Sequence, residues 1–383
     1  MRLLCLDQFS ELGGAQRSLL DLLPGFAENG WQTDIFLPGA GAFATALAAQ
    51  GRSVAFYSTG TYSNGRKPAR EMAAYALGWP RLVYQIHETV LATKPSLLYV
   101  NGPRVLPAAA FVARFHRLPL IFHSHNRLVQ RAALSATEVA LRVAAAHLIA
   151  CCEYVAEPFR RRVAEEKLSI IYNGVSRPTA LRRFRSPLRR IGVLGRIEPE
   201  KGQLHFVRAA RNLATDFPGC TFEVIGAPLF SGDDYYSTVR REAAGLRIEF
   251  PGWQADPAAA LARLDLLVVP SERIEATTRV ILEAYAAGVP VVAFPSGGIR
   301  EIVLDQQTGF LATNHTPEAL AARISFALRL PPSRLRSILK NANDVWRSRY
   351  TLGRYRDQVC AVISSVLGET ETAAAYTAAR IAR

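Results

Sequence analysis

The chain has 383 residues, 49% of them hydrophobic and 20% charged, and carries a formal net charge of +14. That length corresponds to two or roughly three domains of ~150 residues each, with the composition of a folded globular protein rather than a disordered one. No apolar run reaches the ~18 residues of a membrane-spanning helix. The five cysteines (Cys5, Cys151, Cys152, Cys220 and Cys360) lack metal-ligand spacing and read as reduced thiols.

Met1-Arg2-Leu3-Leu4-Cys5-Leu6 meets a charge at Asp7. This is not the pattern of a secretory leader, so the expected location is the cytoplasm. Residues 3–7 form a predicted buried parallel strand. Gly13-Gly14 lies in the turn after it. A helix over 16–28 follows, with apolar Leu19, Leu20, Leu22, Leu23 and Phe26, closed by Asn29-Gly30, and then a strand over 33–37. The glycine pair does not fit G-x-G-x-x-G, so no dinucleotide fingerprint is present. By itself it serves a tight turn as well as a phosphate loop.

A helix over 42–50, a strand over 53–57 and a polar, mobile loop over 59–69 are expected next. A long helical pattern over 71–92 is broken near Gly78-Trp79-Pro80. A strand over 97–101 runs into an Asn101-Gly102-Pro103 turn, and a helix covers 107–115. The strand over 120–122 ends in His123-Ser124-His125-Asn126. Polar clusters at the carboxyl edge of a parallel sheet are where ligands bind. The two histidines are expected on opposite faces of the strand, so at most one addresses a ligand; local hydrogen bonding of both is the alternative. A helix over 137–146, a strand over 147–151, a helix over 153–166 and a segment 169–172 lead to an Asn173-Gly174-Val175 turn.

Arginine is dense between Arg160 and Arg190: Arg160, Arg161, Arg162, Arg177, Arg182, Arg183, Arg185, Arg189 and Arg190. A basic surface attracts anionic lipid or phosphorylated substrates, and equally describes a solvated face. Aromatic interleaving and nucleic-acid motifs are lacking, so nucleic acid is not an expected partner.

A second α/β series opens with a strand over 191–194. The loop from Gly195 to Gly202 carries Arg196 and Lys201 before a helix ending near Thr215; the pair fits a diphosphate clamp, and two exposed basic residues of an ordinary loop are the bland alternative. Strands over 221–225 and 248–250 follow, then Pro251-Gly252-Trp253, where the tryptophan either packs between domains or lies beside a nucleotide base, interdomain packing being favoured. Asp256-Pro257 starts a helix to about 264. Residues 266–269 form a strand. A polar loop with Glu272, Arg273 and Glu275 leads to a helix capped by Thr277 or Thr278 and stopped by Gly288 and Pro290. A strand over 289–294, the pair Gly297-Gly298, a short helix and a strand near Leu311 follow. Helices over 317–328, 332–350 and 353–367 finish the chain, with an alanine-rich tail expected to fray.

A helix start directly after a strand offers N–H groups and partial positive charge to a diphosphate. Carboxylates beside such a site suit neutral hydroxyls, so Glu275 fits a donor hexose and Glu283 a ribose. Two solvated glutamates are the bland alternative.

The stretch LLVVPSERIEATTRVILEAYAAGVPVVAFPSGGIREIVLDQQTGFL resembles the donor signature of retaining GT-B glycosyltransferases of family 4 (group 1). Glu275 and Glu283 match its Glu-x7-Glu spacing, Gly195 to Gly202 its G-R-x-x-x-x-K-G loop, and ELGGAQRSLLDL its first glycine loop. The departure is Ala276-Thr277-Thr278, where the family has a Gly-aromatic-Gly type segment with more room for backbone approach.

The resemblance implies an α/β, GT-B fold, with two facing Rossmann-like domains and an interdomain cleft. The implied boundaries are an acceptor-side domain over 1–176, a linker over 177–187, a nucleotide-sugar domain over 188–350, and a helix and tail over 351–383 returning to the first domain. It implies His125 and Glu275 as catalytic, and Gly13, Gly14, Arg196, Lys201, Thr278, Arg279, Val280 and Glu283 as donor-binding. No metal or cofactor is implied. The implied partners are a UDP- or GDP-sugar and a saccharide or lipid-linked saccharide acceptor; the basic charge adds an anionic membrane surface on the cytoplasmic side as a further expected partner, with a solvated basic face as the alternative. The implied activity is retaining hexosyl transfer in cell-surface polysaccharide or glycolipid biosynthesis. A catalytically degenerate nucleotide-binding protein and a UDP-sugar epimerase are the competing readings.

Overall fold

The computed structural model describes residues 1–58, 69–178, 184–228, 233–254, 256–272 and 274–381, with side chains at 69–72, 233 and 369–381 excepted. Most of the loop expected at 59–69, and Arg182, Arg183 and Arg273, lie outside the described residues. The chain divides into two compact units, Met1–Asn173 with Gly353–Arg383, and Gly174–Leu352.

The first unit contains β1 (Arg2–Asp7), α1 (Gly14–Glu28), β2 (Gln32–Leu37), α2 (Ala42–Ala49), β3 (Val54–Phe56), α3 (Ala69–Thr93), β4 (Leu97–Asn101), α4 (Leu106–His116), β5 (Leu120–Ser124), α5 (Arg131–Val143), β6 (His147–Ala150), α6 (Glu153–Ala156) and β7 (Leu168–Ile170). Its strands form one parallel sheet in the order β3-β2-β1-β4-β5-β6-β7. The central strands are almost wholly apolar and buried, as a sheet covered on both faces requires. The strand order reverses between β1 and β4, whose last residues, Asp7 and Asn101, are paired in register.

The second unit contains β8 (Arg190–Leu194), α7 (Gln203–Leu213), β9 (Thr221–Ile225), α8 (Asp233–Glu242), β10 (Ile248–Gly252), α9 (Pro257–Arg263), β11 (Leu266–Val269), α10 (Arg279–Ala287), β12 (Val291–Ala293), α11 (Ile299–Ile302), β13 (Phe310–Leu311), α12 (Pro317–Leu328) and α13 (Pro332–Arg349). Its parallel sheet runs β10-β9-β8-β11-β12-β13, reversing between β8 and β11. The last helix, α14 (Leu352–Ile381), belongs to the first unit from Gly353 onward. It packs Tyr355, Val359 and Ile363 into that unit, and Arg356 Nε donates to the Asp21 carbonyl at 2.6 Å.

Five local expectations are corrected. The helical pattern of α3 is not broken at Pro80; one 25-residue helix runs through it. Proline removes one backbone donor, but Leu82, Ile86 and Val90 beyond it are buried, and that burial outweighs the lost bond. The helix expected over 153–166 stops after one turn at Ala156 and continues as short 3-10 turns, because Pro158 cannot donate and Arg160 and Arg162 reach out to Glu153 and Glu138.

The turn expected at Asn173 is instead an extended exit, with Asn173 buried and its Oδ1 accepting from the Ser18 hydroxyl at 3.0 Å. The alanine-rich tail continues α14 to Ile381, consistent with the high helix propensity of alanine. Finally, His123 and His125 share a side of the sheet; their ring centroids are 4.1 Å apart. Residues two apart on a strand point the same way, so the opposite-face expectation misapplied the pleat.

Candidate functional site

Parallel α/β sheets bind ligands beyond the carboxyl ends of the strands where the order reverses. In the second unit that point lies between the loops after β8 and β11. The β8 loop carries Arg196 and Lys201, and the β11 loop carries Glu275. The backbone holds the first loop firmly. Gly195 N–H donates to Ile225 O at 3.0 Å, and Ile197 N–H donates to Ala227 O at 2.9 Å. Gly202 has φ +69, and a Cβ there would stand 1.9 Å from the Pro270 carbonyl oxygen, so only glycine lets the β8 loop approach the end of β11 this closely.

The structure brings Lys201 and Glu275 together, Nζ to Oε2 at 2.7 Å, with their side chains 25% and 15% exposed. Burial alone would raise the Glu275 pKa, but the Lys201 charge and hydrogen bond, with help from the Ser271 and Thr278 hydroxyls, hold it below the ordinary glutamate value. Arg196 pairs with Glu198 at 2.7 Å. Burial pushes the Glu198 pKa up, against the pull of Arg196 and Lys201.

Gly298 N–H donates to the Glu275 carbonyl at 3.0 Å, tying the loop after β12 to the same place. The helix α10 starts at Arg279 with Thr278 in the preceding position, and Thr278 makes no capping side-chain bond. Val280 is the second residue of its first turn. Glu283 lies one turn on, with Arg279 Nε 4.0 Å from its carboxylate. Ala276, Thr277 and Thr278, the segment that departs from Gly-aromatic-Gly, are all buried. Trp253 is 43% exposed.

In the first unit the reversal lies between β1 and β4, and a continuous hydrogen-bonded chain crosses it. Gly13 N–H donates to Gln16 Oε1 at 3.2 Å. Gln16 Nε2 donates to Asp7 Oδ1 at 2.8 Å, and Asn101 Nδ2 donates to Asp7 Oδ2 at 2.6 Å. Asn101 Oδ1 then faces His125 Nε2 at 2.8 Å. Because a carboxylate only accepts, each amide orientation is dictated in turn, and His125 must carry its proton on Nε2. Gly14 begins α1, and a Cβ built there meets nothing within 4 Å.

Asp7 is fully buried, and burial raises its pKa to about 6 despite the lowering effect of Asn101, Phe9 and Gln16. His123, behind His125, is fully buried against the Tyr99 hydroxyl; burial first, then the neighbouring His125, keeps it neutral well below the ordinary histidine range. His123 is thus a structural neighbour of the half-buried His125.

Asp7, Gln16, Asn101 and Glu198 escaped the sequence reading. A usable signal was present: Asp7 and Asn101 are polar residues that end apolar runs (residues 3–6 and 97–100), at the edge where ligands bind. All five cysteines are buried.

Two doubly wound parallel units in one chain, each with polar groups at the carboxyl edge of the strands flanking its reversal, define the class of the GT-B glycosyltransferases. A family model described as Glycosyltransferase Family 4 matches residues 12–177, and one described as Glycosyl transferases group 1 matches residues 189–329. The chain belongs to this retaining family. Among solved structures, Anabaena HepE in complex with UDP is similar at a TM-score of 0.81 and 26% identity, over 95% of this chain and 100% of that one. HepE is also solved with UDP-glucose.

The D-inositol 3-phosphate glycosyltransferase of Segniliparus rotundus is 34% identical over 155 residues, 39% of this chain and 34% of that protein. The lipopolysaccharide 1,2-N-acetylglucosaminetransferase of Salmonella typhimurium is 28% identical over 271 residues, 66% of this chain and 68% of that protein. The chain therefore spans about a third of the first curated relative and about two thirds of the second.

Proposed function

We propose that the chain transfers a hexose from a nucleotide-sugar to an acceptor hydroxyl with retention at the anomeric carbon. The observation that carries this reading is the Lys201–Glu275 pair at the reversal point of the second unit: a cation suited to a diphosphate in contact with a carboxylate suited to sugar hydroxyls. In this reading Arg196, Lys201 and the backbone at Thr278, Arg279 and Val280 hold the diphosphate. Their combined positive charge stabilises the departing nucleoside diphosphate without calling for a metal. Glu275 orients the donor hexose and Glu283 holds the ribose. His125 orients or stabilises the reacting centre, and Gly13 and Gly14 leave room for donor phosphate and acceptor.

A UDP-sugar is the preferred donor, on the likeness to HepE, whose structures carry UDP and UDP-glucose. The acceptor is a saccharide or lipid-linked saccharide of cell-surface polysaccharide or glycolipid assembly, on the cytoplasmic side of the membrane. The Salmonella relative's named activity and the positive net charge support this assignment.

A thermal-shift panel with UDP, GDP, ADP and CMP, with and without chelator, tests the donor side by mass action. Selective stabilisation by UDP that survives chelator is the expected result; no response to any nucleotide sinks the reading. Turnover of the stabilising nucleotide's sugars, with His125→Ala as control, tests the chemistry. A fully active His125→Ala variant removes that residue from the mechanism.

A further inference from the structure

More than half of the excess positive charge comes from one stretch. Between residues 61 and 145 there are eleven lysines and arginines against three glutamates. The same stretch builds α3, α4 and α5, neighbouring helices on one side of the first unit's sheet, whose inward faces supply Ile86, Val112 and Leu141 to a common core. Their outward faces are not the polar surfaces an isolated globular unit presents. On α3 the solvent stripe 77, 81, 84, 88, 91 carries Leu77, Tyr84 and Leu91, which are 84%, 62% and 50% exposed. On α4, Phe111 and Phe115 are 51% and 69% exposed, and on α5 Val139 is 60% exposed.

The aromatic side chains are anchored across the helix boundary rather than scattered. Phe111 meets Trp79 of α3 edge-on at 5.8 Å, and Phe115 meets His87 of α3 at 5.7 Å. Arg81, Arg114, Arg117, Arg131 and Arg142 are exposed on the same three helices or at their ends, Arg142 paired with Glu138 at 2.8 Å.

Among the described residues no helix is long and apolar enough to cross a bilayer. Apolar side chains interleaved with arginines on a fixed surface fit the interfacial zone of an anionic bilayer, where rings and aliphatic groups sit at headgroup depth and arginines meet phosphate. The geometry points to the α3–α4–α5 face as a docking surface for anionic lipid. A protein partner of the same chemistry would need a matching acidic, apolar face; a second copy of this chain offers the same positive charge on this surface and would be repelled. The inference stands apart from the transfer chemistry, because vesicle binding is read without turnover. It also differs from docking through the arginines of 177–187.

The test is co-sedimentation of the full chain with vesicles of phosphatidylglycerol and phosphatidylcholine, against phosphatidylcholine alone. Binding only to the anionic vesicles, weakening as salt rises, is the expected result. Arg114→Gln with Arg117→Gln should lower vesicle affinity by about five-fold for each arginine. Phe111→Ser with Phe115→Ser should weaken it by at least as much, while the thermal midpoint and its response to UDP stay unchanged. Arg177→Gln with Arg185→Gln should leave binding intact. Loss of binding in that last variant alone, or a Phe111/Phe115 variant that binds vesicles normally, overturns the inference. So does a dimer in solution that those two phenylalanine substitutions dissociate.

Discussion

Two carboxylates lie at the carboxyl edges of strands that flank a sheet reversal, Asp7 as the last residue of β1 and Glu275 in the loop after β11, and their chemistry runs in opposite directions. Asp7 has only amide and backbone donors around it, and burial raises its pKa to about 6. Glu275 faces Lys201 at 2.7 Å and is held below the ordinary value despite burial. The largest difference is one neighbouring cation. Topology decides where a polar group can meet a ligand; the partner decides whether it stays a firm anion or becomes one that titrates near neutrality. A firm anion beside a lysine suits a site that holds hydroxyls next to a phosphate. An anion that only accepts from amides suits a framework that orients a histidine.

The sharpest way to break this comparison is Glu275→Ala. With the carboxylate gone, donor-sugar orientation is lost while Lys201 remains for the diphosphate. Turnover should fall by about 10³-fold, with UDP affinity changed only slightly. Parallel losses in steady-state turnover and in calorimetric UDP binding would reject the division of labour between the two side chains.

Asp7→Asn tests the other unit. The new amide places a donor where Asn101 Nδ2 now donates, so Asn101 must rotate and present Nδ2 to His125. His125 then needs its lone pair on Nε2 and its proton on Nδ1. Turnover should drop by about 10²-fold with unchanged UDP binding. The acid limb of the pH–rate profile should also move, because in the wild type Asp7 titrates near 6. An unaltered profile would confine Asp7 to packing.

This framework shows where the sequence was legible and where it was not. Parallel strands buried on both faces are continuous apolar runs, so nearly every strand could be read from composition. The Gly195–Gly202 loop and the two glutamates were found because their spacing is local. The Asp7–Asn101–His125 chain joins residues 94 and 24 positions apart. No local pattern encodes it; it exists only because the sheet order places β4 beside β1 and β5 beside β4. The missed helix features have a related cause. Whether Pro80 breaks α3 depends on what Leu82, Ile86 and Val90 pack against, which is tertiary information.

A smaller effect is expected from the cations. Lys201→Ala should weaken UDP binding by about ten-fold, because it removes a charge-assisted hydrogen bond to phosphate in a partly exposed place. Arg196→Ala should do the same to a lesser degree, since Arg196 is already shared with Glu198. Isothermal titration with UDP decides both; two unchanged affinities would remove the clamp.

The least effect on rate, and the most direct reading of the opposed carboxylates, lies in stability against pH. A carboxylate whose folded pKa is raised binds protons more readily when folded, so stability falls as pH climbs through the window between the unfolded and folded values. For Asp7 that window runs from 3.8 to about 6, and the full cost above it is about 3 kcal/mol. The difference in thermal midpoint, Asp7→Asn minus wild type, should therefore increase across that window and level off above it.

Glu275 has the reverse sign. Its folded pKa is depressed, so its contribution is complete above the unfolded value and is lost as pH falls through the folded one. The midpoint difference, Glu275→Gln minus wild type, should be most negative at neutral pH and shrink toward zero in acid. Two difference curves, read from midpoints between pH 3.5 and 7.5, must slope in the same downhill-for-wild-type or uphill-for-wild-type sense if the two carboxylates are alike. Opposite slopes, with the Asp7 change at the higher pH, are expected, because only Glu275 has a lysine against it.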